Sequence, residues 1–138
     1  MNLPPIELTR SEWIVLKAIW GREPCTAPGL QEELFKATGW TYSTVRTIMD
    51  RMVAKGILQA EKLRNLTLFR ANVTRAQAQR SEILYTLKHA FDGALTPMVQ
   101  HLLETNEVSE SDLAEIEALI KARRKFRTRG KPTKGEAK

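Results

Sequence analysis

The stretch TYSTVRTIMDRMVAKGIL, residues 41–58, constrains the fold more than any other part of the chain. At about 100° per residue, Ile48, Met49 and Met52 fall within about 60° of Val45 around a helix. Ser43, Thr47 and Asp50 fall within about 40° of the opposite side, flanked by Thr44 and Arg46. One side therefore faces a core. The other carries short hydroxyls and a guanidinium, where a merely solvated helix favours Glu and Lys. Such a face suits close contact with another surface. Lys55-Gly56-Ile57-Leu58 closes the helix, with Gly56 just past its end.

Two helices precede this one. In LTRSEWIVLKAIWG, Thr9 and Glu12 have capping-box spacing, and Trp13, Leu16, Ile19 and Trp20 form one apolar stripe ending at Gly21. In CTAPGLQEELFKATG, Thr26 is the N-cap, Pro28 sits in the first turn, and Leu30, Leu34 and Phe35 are expected to face inward, with Gly39 as the stop. After the third helix, Ile57 and Leu58 open a strand and LTLFRANV forms a second. The turn between them falls at Arg64-Asn65, where Asn tolerates left-handed backbone.

Three helices and a hairpin within residues 1–75 make a core too small for an ordinary enzyme. A short Gly-containing link between the second and third helices is a helix-turn-helix feature. With the hairpin added, the expected fold is mainly α: a winged helix-turn-helix with a small β-hairpin wing, followed by a helical region. A recognition helix puts outward side chains into the major groove. Candidate DNA contacts on it are Thr41, Ser43, Thr44, Arg46, Thr47 and Arg51. Arg can pair bidentately with guanine, while Thr and Ser touch thymine or phosphate. Lys62 and Arg64 at the hairpin tip suit the sugar-phosphate backbone. Plainer roles stand beside these: Ser43 as a helix cap, Arg51 paired with an acid, Lys62 and Arg64 as solvated tip residues.

Charge follows the same division. The net charge is +6, but residues 1–75 carry 11 basic and 7 acidic groups, residues 76–120 carry 2 and 8, and residues 121–138 carry 9 and 1. Nucleic acid therefore suits the first part and the end of the chain, not the middle.

Residues 76–126 read as three helices. Ile83, Leu84, Leu87 and Phe91 form a stripe on the first. The second, TPMVQHLLE, has Thr96 as expected cap and Met98, Val99, Leu102 and Leu103 as apolar residues. Ser109 or Ser111 caps the third, whose stripe is Leu113, Ile116, Leu119 and Ile120. These helices enclose little core alone, so their stripes are expected to pair with a second copy. A two-fold dimer also doubles the DNA site. Residues 127–138 are expected to form a basic disordered tail.

Other classes fit poorly. No nucleophile with a base, paired carboxylates or glycine-rich phosphate loop appears, so an enzyme is not expected. Cys25, His89 and His101 match no metal spacing, and no cofactor is expected. One cysteine and no signal-peptide core suit the cytoplasm, and no run is apolar enough for membrane insertion. The rival function is a winged-helix protein–protein adaptor; the excess of 7 basic over 2 acidic groups in residues 46–75 speaks against it.

These pieces together resemble the penicillinase repressor (BlaI/MecI) family of bacterial transcriptional regulators, over roughly residues 6–121. The Glu12-Trp13 and Ile19-Trp20 pairs, GWTYSTVRTIMDRMVAKGIL and LFRANVTRAQ carry the resemblance. It implies a homodimeric repressor on a pseudo-palindromic operator, controlling a β-lactamase or related resistance or stress gene. Thr44 and Arg46 fall where family members reach bases. Ser43 replaces a frequent lysine and Tyr42 a common proline. The resemblance also implies a membrane sensor protease as partner, acting in the dimerisation region at an Asn-Phe pair, where this chain has His101-Leu102. The paired C-terminal cysteines of the copper-responsive branch are not present in this sequence.

Overall fold

Helix α1 (Arg10–Trp20) starts where the capping-box spacing puts it, in a computed structural model that describes residues 6–130. Thr9 Oγ1 accepts from the Glu12 N–H at 3.2 Å, and the Glu12 carboxylate accepts from the Thr9 N–H at 3.0 Å. The two bonds satisfy donors that a helix start leaves orphaned. Helix α2 (Ala27–Thr38) is capped by Thr26 and carries Pro28 where a missing N–H costs nothing. Gly39 ends it at φ 71°, a left-handed conformation that a side chain would strain. Helix α3 (Tyr42–Ala54) follows after three residues, the last of which, Thr41, is its cap.

The α2 and α3 stripes and Leu16 and Ile19 of α1 meet in one core, but Val15 joins them there and Trp13 and Trp20 of the expected α1 stripe are only half-buried. Val15, Leu16 and Ile19 of α1, Leu30 and Leu34 of α2, and Val45, Ile48, Met49 and Met52 of α3 are all buried in one core. Strands β1 (Leu58–Leu63) and β2 (Leu66–Ala71) pair antiparallel, Leu58 opposite Ala71 and Leu63 opposite Leu66. Phe69 is the largest fully buried side chain and plugs the wing into the helices. Cys25 adds a one-residue third strand: its N–H donates to the Phe69 carbonyl at 3.1 Å and its carbonyl accepts from the Phe69 N–H at 2.8 Å. A single bridging residue has no periodicity, so no local pattern marks it. Burial pushes the Cys25 thiol pKa up, partly offset by Arg22, which keeps the thiol unreactive.

Glu12 does more than cap. It is 3% exposed, and its carboxylate receives Lys55 Nζ at 2.7 and 2.9 Å. Lys55 also donates to the Glu7 carbonyl. This pair, with Glu12 buried and Lys55 reaching in from solvent, ties the start of α1 to the end of α3.

Several expectations need correcting. Phe35 is 53% exposed, because it lies one position beyond Leu34 on α2 and turns away from the core. The left-handed residue of the wing turn is Arg64, at φ 59°, rather than Asn65. Helix α5 (Leu95–Leu103) begins before Thr96, which lies inside its first turn; Ala94 takes the cap position without a side-chain bond.

Two compact units meet in the chain between Ala90 and Phe91. Helix α4 (Arg75–Phe91) begins with reciprocal Thr74 and Gln77 side-chain bonds and buries Ala78. Ser81 accepts from the Ile6 N–H, and Glu82 from the Trp13 indole N–H, so the early turns of α4 belong to the first unit. In the second unit, α6 (Glu110–Gly130) is capped by Ser109, with Asp112 returning the bond. Hydrogen bonds from the Ser109 backbone N–H, and then from its hydroxyl, pull the Asp112 carboxyl pKa down. The helix runs past residue 126 to Gly130; the rest of the expected tail, residues 131–138, lies outside the described residues. Among the described residues, no helix is long and apolar enough to cross a membrane.

Candidate nucleic-acid interface

Helix α3 presents its polar side to solvent. Thr41, Ser43, Thr44, Thr47, Asp50 and Arg51 are exposed, and Arg46 is half-buried. The start of the helix is held from two directions. Gln31 of α2 donates its side-chain amide to the Trp40 carbonyl at 2.9 Å, and Thr38 Oγ1 accepts from the Trp40 N–H at 3.1 Å. Thr41 Oγ1 accepts from the Thr44 N–H, donates to Thr44 Oγ1 at 3.2 Å, and lies 3.3 Å from Ser43 Oγ. Capping occupies Thr41, which leaves Ser43, Thr44 and Thr47 as the projecting hydroxyls.

Arg46 is not loose. Its Nε donates to Asp50 Oδ1 at 3.1 Å, one turn on, and its Nη1 donates to the Tyr42 hydroxyl at 3.2 Å, one turn back. The guanidinium carbon stands 5.6 Å from the centre of the Phe69 ring. The Asp50 hydrogen bond, and then that of Tyr42, push the Arg46 pKa up, so the group stays charged at any working pH. Arg51 is exposed, and among the described residues no acid pairs with it.

At the wing, Lys62 lies opposite Thr67 and Arg64 occupies the turn, both exposed. Leu63 and Leu66 flank that turn at about half exposure. The structure thus gathers Thr41, Ser43, Thr44, Arg46 and Thr47 on one helix edge and puts Lys62 and Arg64 at the far end of the hairpin. Tyr42, Asp50 and Gln31 were missed as members of the site. The i, i+4 spacing of Tyr42, Arg46 and Asp50 was the available signal.

Residues 84–120 hold the candidate pairing surface. Leu84, Val99, Leu102, Leu103, Ile116 and Ile120 are exposed, and Leu87, Phe91, Met98 and Leu113 half-buried. No side chain from residue 79 to Arg127 is buried within the single chain. His101 and Leu102 both lie in α5 and are exposed.

Three packed helices, a hairpin pinned to them and a polar outer face on the third define a winged helix-turn-helix protein. The sequence profile of the family described as Penicillinase repressor matches residues 8–122, and the chain belongs to that family. The methicillin resistance regulatory protein MecI of Staphylococcus aureus (strain N315) is 20% identical over 120 residues, covering 87% of this chain and 98% of MecI. The penicillinase repressor of Bacillus licheniformis is 23% identical over 114 residues, 83% of this chain and 89% of that protein. Among solved structures, the DNA-binding domain of the repressor BlaI aligns with TM-score 0.48 at 25% identity, over 55% of this chain and 92% of that one.

Proposed function

We propose that this DNA-binding transcriptional repressor works as a homodimer, each copy laying the outer edge of α3 in the major groove of one half of a two-fold operator. The observation that carries the reading is that edge: exposed Ser43, Thr44 and Thr47 around a fixed Arg46. Arg46 reads a guanine, the hydroxyls touch thymine or phosphate, and Arg51, Lys62 and Arg64 neutralise phosphates. Thr41 serves the interface through its cap. The open apolar faces of α5 and α6 support pairing with a second copy, since a stripe of leucines and isoleucines left in water is costly.

The reading places the protein in the cytoplasm with its DNA and assigns it no catalytic chemistry. The names of the relatives point to a β-lactamase or related resistance or stress gene as the target. A membrane sensor protease is the proposed release partner. His101-Leu102 is accessible on α5, but the helix must open locally before a protease can hold it extended.

A mobility-shift titration on DNA flanking the protein's own gene, over a salt series, tests the function. Retardation at nanomolar to submicromolar protein, weakening steeply with salt and outlasting random competitor, is expected. Arg46→Ala should cost ~1–3 kcal/mol on that DNA. Equal binding of flanking and random duplex by parent and Arg46→Ala alike would return the fold to the adaptor role.

A further inference from the structure

The geometry points to Tyr42 and Asp50 as positioning residues that fix Arg46 in one orientation and so set the guanine preference of the recognition helix. This rests on the reading of Arg46 as a base contact.

An arginine on a DNA-facing helix has two destinations, a phosphate oxygen or a base edge, and its long flexible stem reaches both. Here the stem is pinned from either side. Tyr42, Arg46 and Asp50 follow one another at i, i+4 along the exposed side of α3, and the two flanking groups bind different nitrogens of the guanidinium. Phe69 limits the third direction by standing beneath the guanidinium carbon.

The choice of atoms matters. A guanidinium has five N–H donors. Asp50 takes the one on Nε and Tyr42 one on Nη1, which leaves the second Nη1 hydrogen and both on Nη2. That remaining end-on fork matches O6 and N7 of guanine. The bonds therefore spend the donors a phosphate could take from the side and keep those a base edge needs.

Charge reinforces this. Asp50 is a carboxylate on the face that meets a polyanion, and its side chain is 58% exposed. It repels phosphate and so costs general affinity. As a surface ion pair it stabilises the helix little. Its role is then selectivity: a lower affinity for every duplex in exchange for an arginine that cannot collapse onto the backbone.

Selection from a randomised double-stranded DNA library, followed by titration of selected and unselected duplex, separates the outcomes. The parent should enrich guanine at one position of each half-site, and Arg46→Ala should erase that preference. Asp50→Asn should weaken the same preference about tenfold while affinity for unselected duplex holds or rises. Tyr42→Phe, which loses only the hydroxyl, should weaken it by less. In the Arg46→Ala background neither change should alter selectivity further. If Arg46→Ala erases the guanine preference while Asp50→Asn and Tyr42→Phe keep it at the parent level, Arg46 reads unaided and the proposal falls, leaving the base reading intact. Equal losses on selected and unselected duplex would make Asp50 merely structural and also overturn it. Full preference retained by Arg46→Ala would sink the base reading itself.

Discussion

Two regions of this chain use apolar residues at similar helical spacing and arrive at opposite ends. In the first unit, the stripes of α1, α2 and α3 close on one another and on Phe69, and ten apolar helical side chains become buried together with Cys25, Ile57, Leu58 and Phe69. In the second, no described side chain of α5 or α6 is buried, although Leu102, Leu103, Ile116 and Ile120 are as apolar as the residues of the core. The difference lies in what each stripe meets. Three short helices capped by a hairpin enclose a volume; two helices alone cannot. The first unit is therefore a finished fold and the second half of one. On the proposed reading, DNA recognition and pairing with a copy fall to separate parts, so loss of pairing should leave the reading head intact.

The strongest way to break this comparison is Phe69→Ala. It empties the seam where wing, α1 and α3 meet and should cost ~3–5 kcal/mol, read by urea unfolding. A loss under ~1 kcal/mol would show that the first unit is less closed than described. Next comes Leu102→Lys with Ile116→Lys. Two charges on the open faces should raise the dimer dissociation constant at least about a hundredfold, which sedimentation equilibrium reads, while the first unit keeps its unfolding midpoint. Lys55→Met leaves the Glu12 carboxylate buried without its cation. It should cost ~2–3 kcal/mol, below the fully buried range because Lys55 keeps part of its side chain in water. Smallest is Lys62→Ala, which should weaken all duplexes alike and lower the slope of log affinity against log salt by about one.

Much of the first unit was legible in the sequence because several local signals agreed. Thr9 with Glu12, Thr26 with Pro28, Gly39, and the Val45–Met52 stripe each point to the same helices, and each was found in place. What escaped was decided at longer range. Cys25 pairs with Phe69 across 44 residues, and Glu12 meets Lys55 across 43; neither has a local signature. Phe35 misled because one extra apolar residue beside Leu34 widens a stripe that the core does not fully use. At the interface, the hydroxyls and Arg46 could be placed on one edge from angle alone. That Asp50 and Tyr42 hold Arg46 had only their i, i+4 spacing as a signal, and that is a weak one, since many such pairs on exposed helices stay apart.

The most direct measurement is sedimentation velocity of the chain on two selected duplexes, one carrying both half-sites and one carrying a single half. Two chains are expected on the full duplex at nanomolar protein, with the single half binding at least about a hundredfold more weakly. One chain holding either duplex with equal affinity would contradict it.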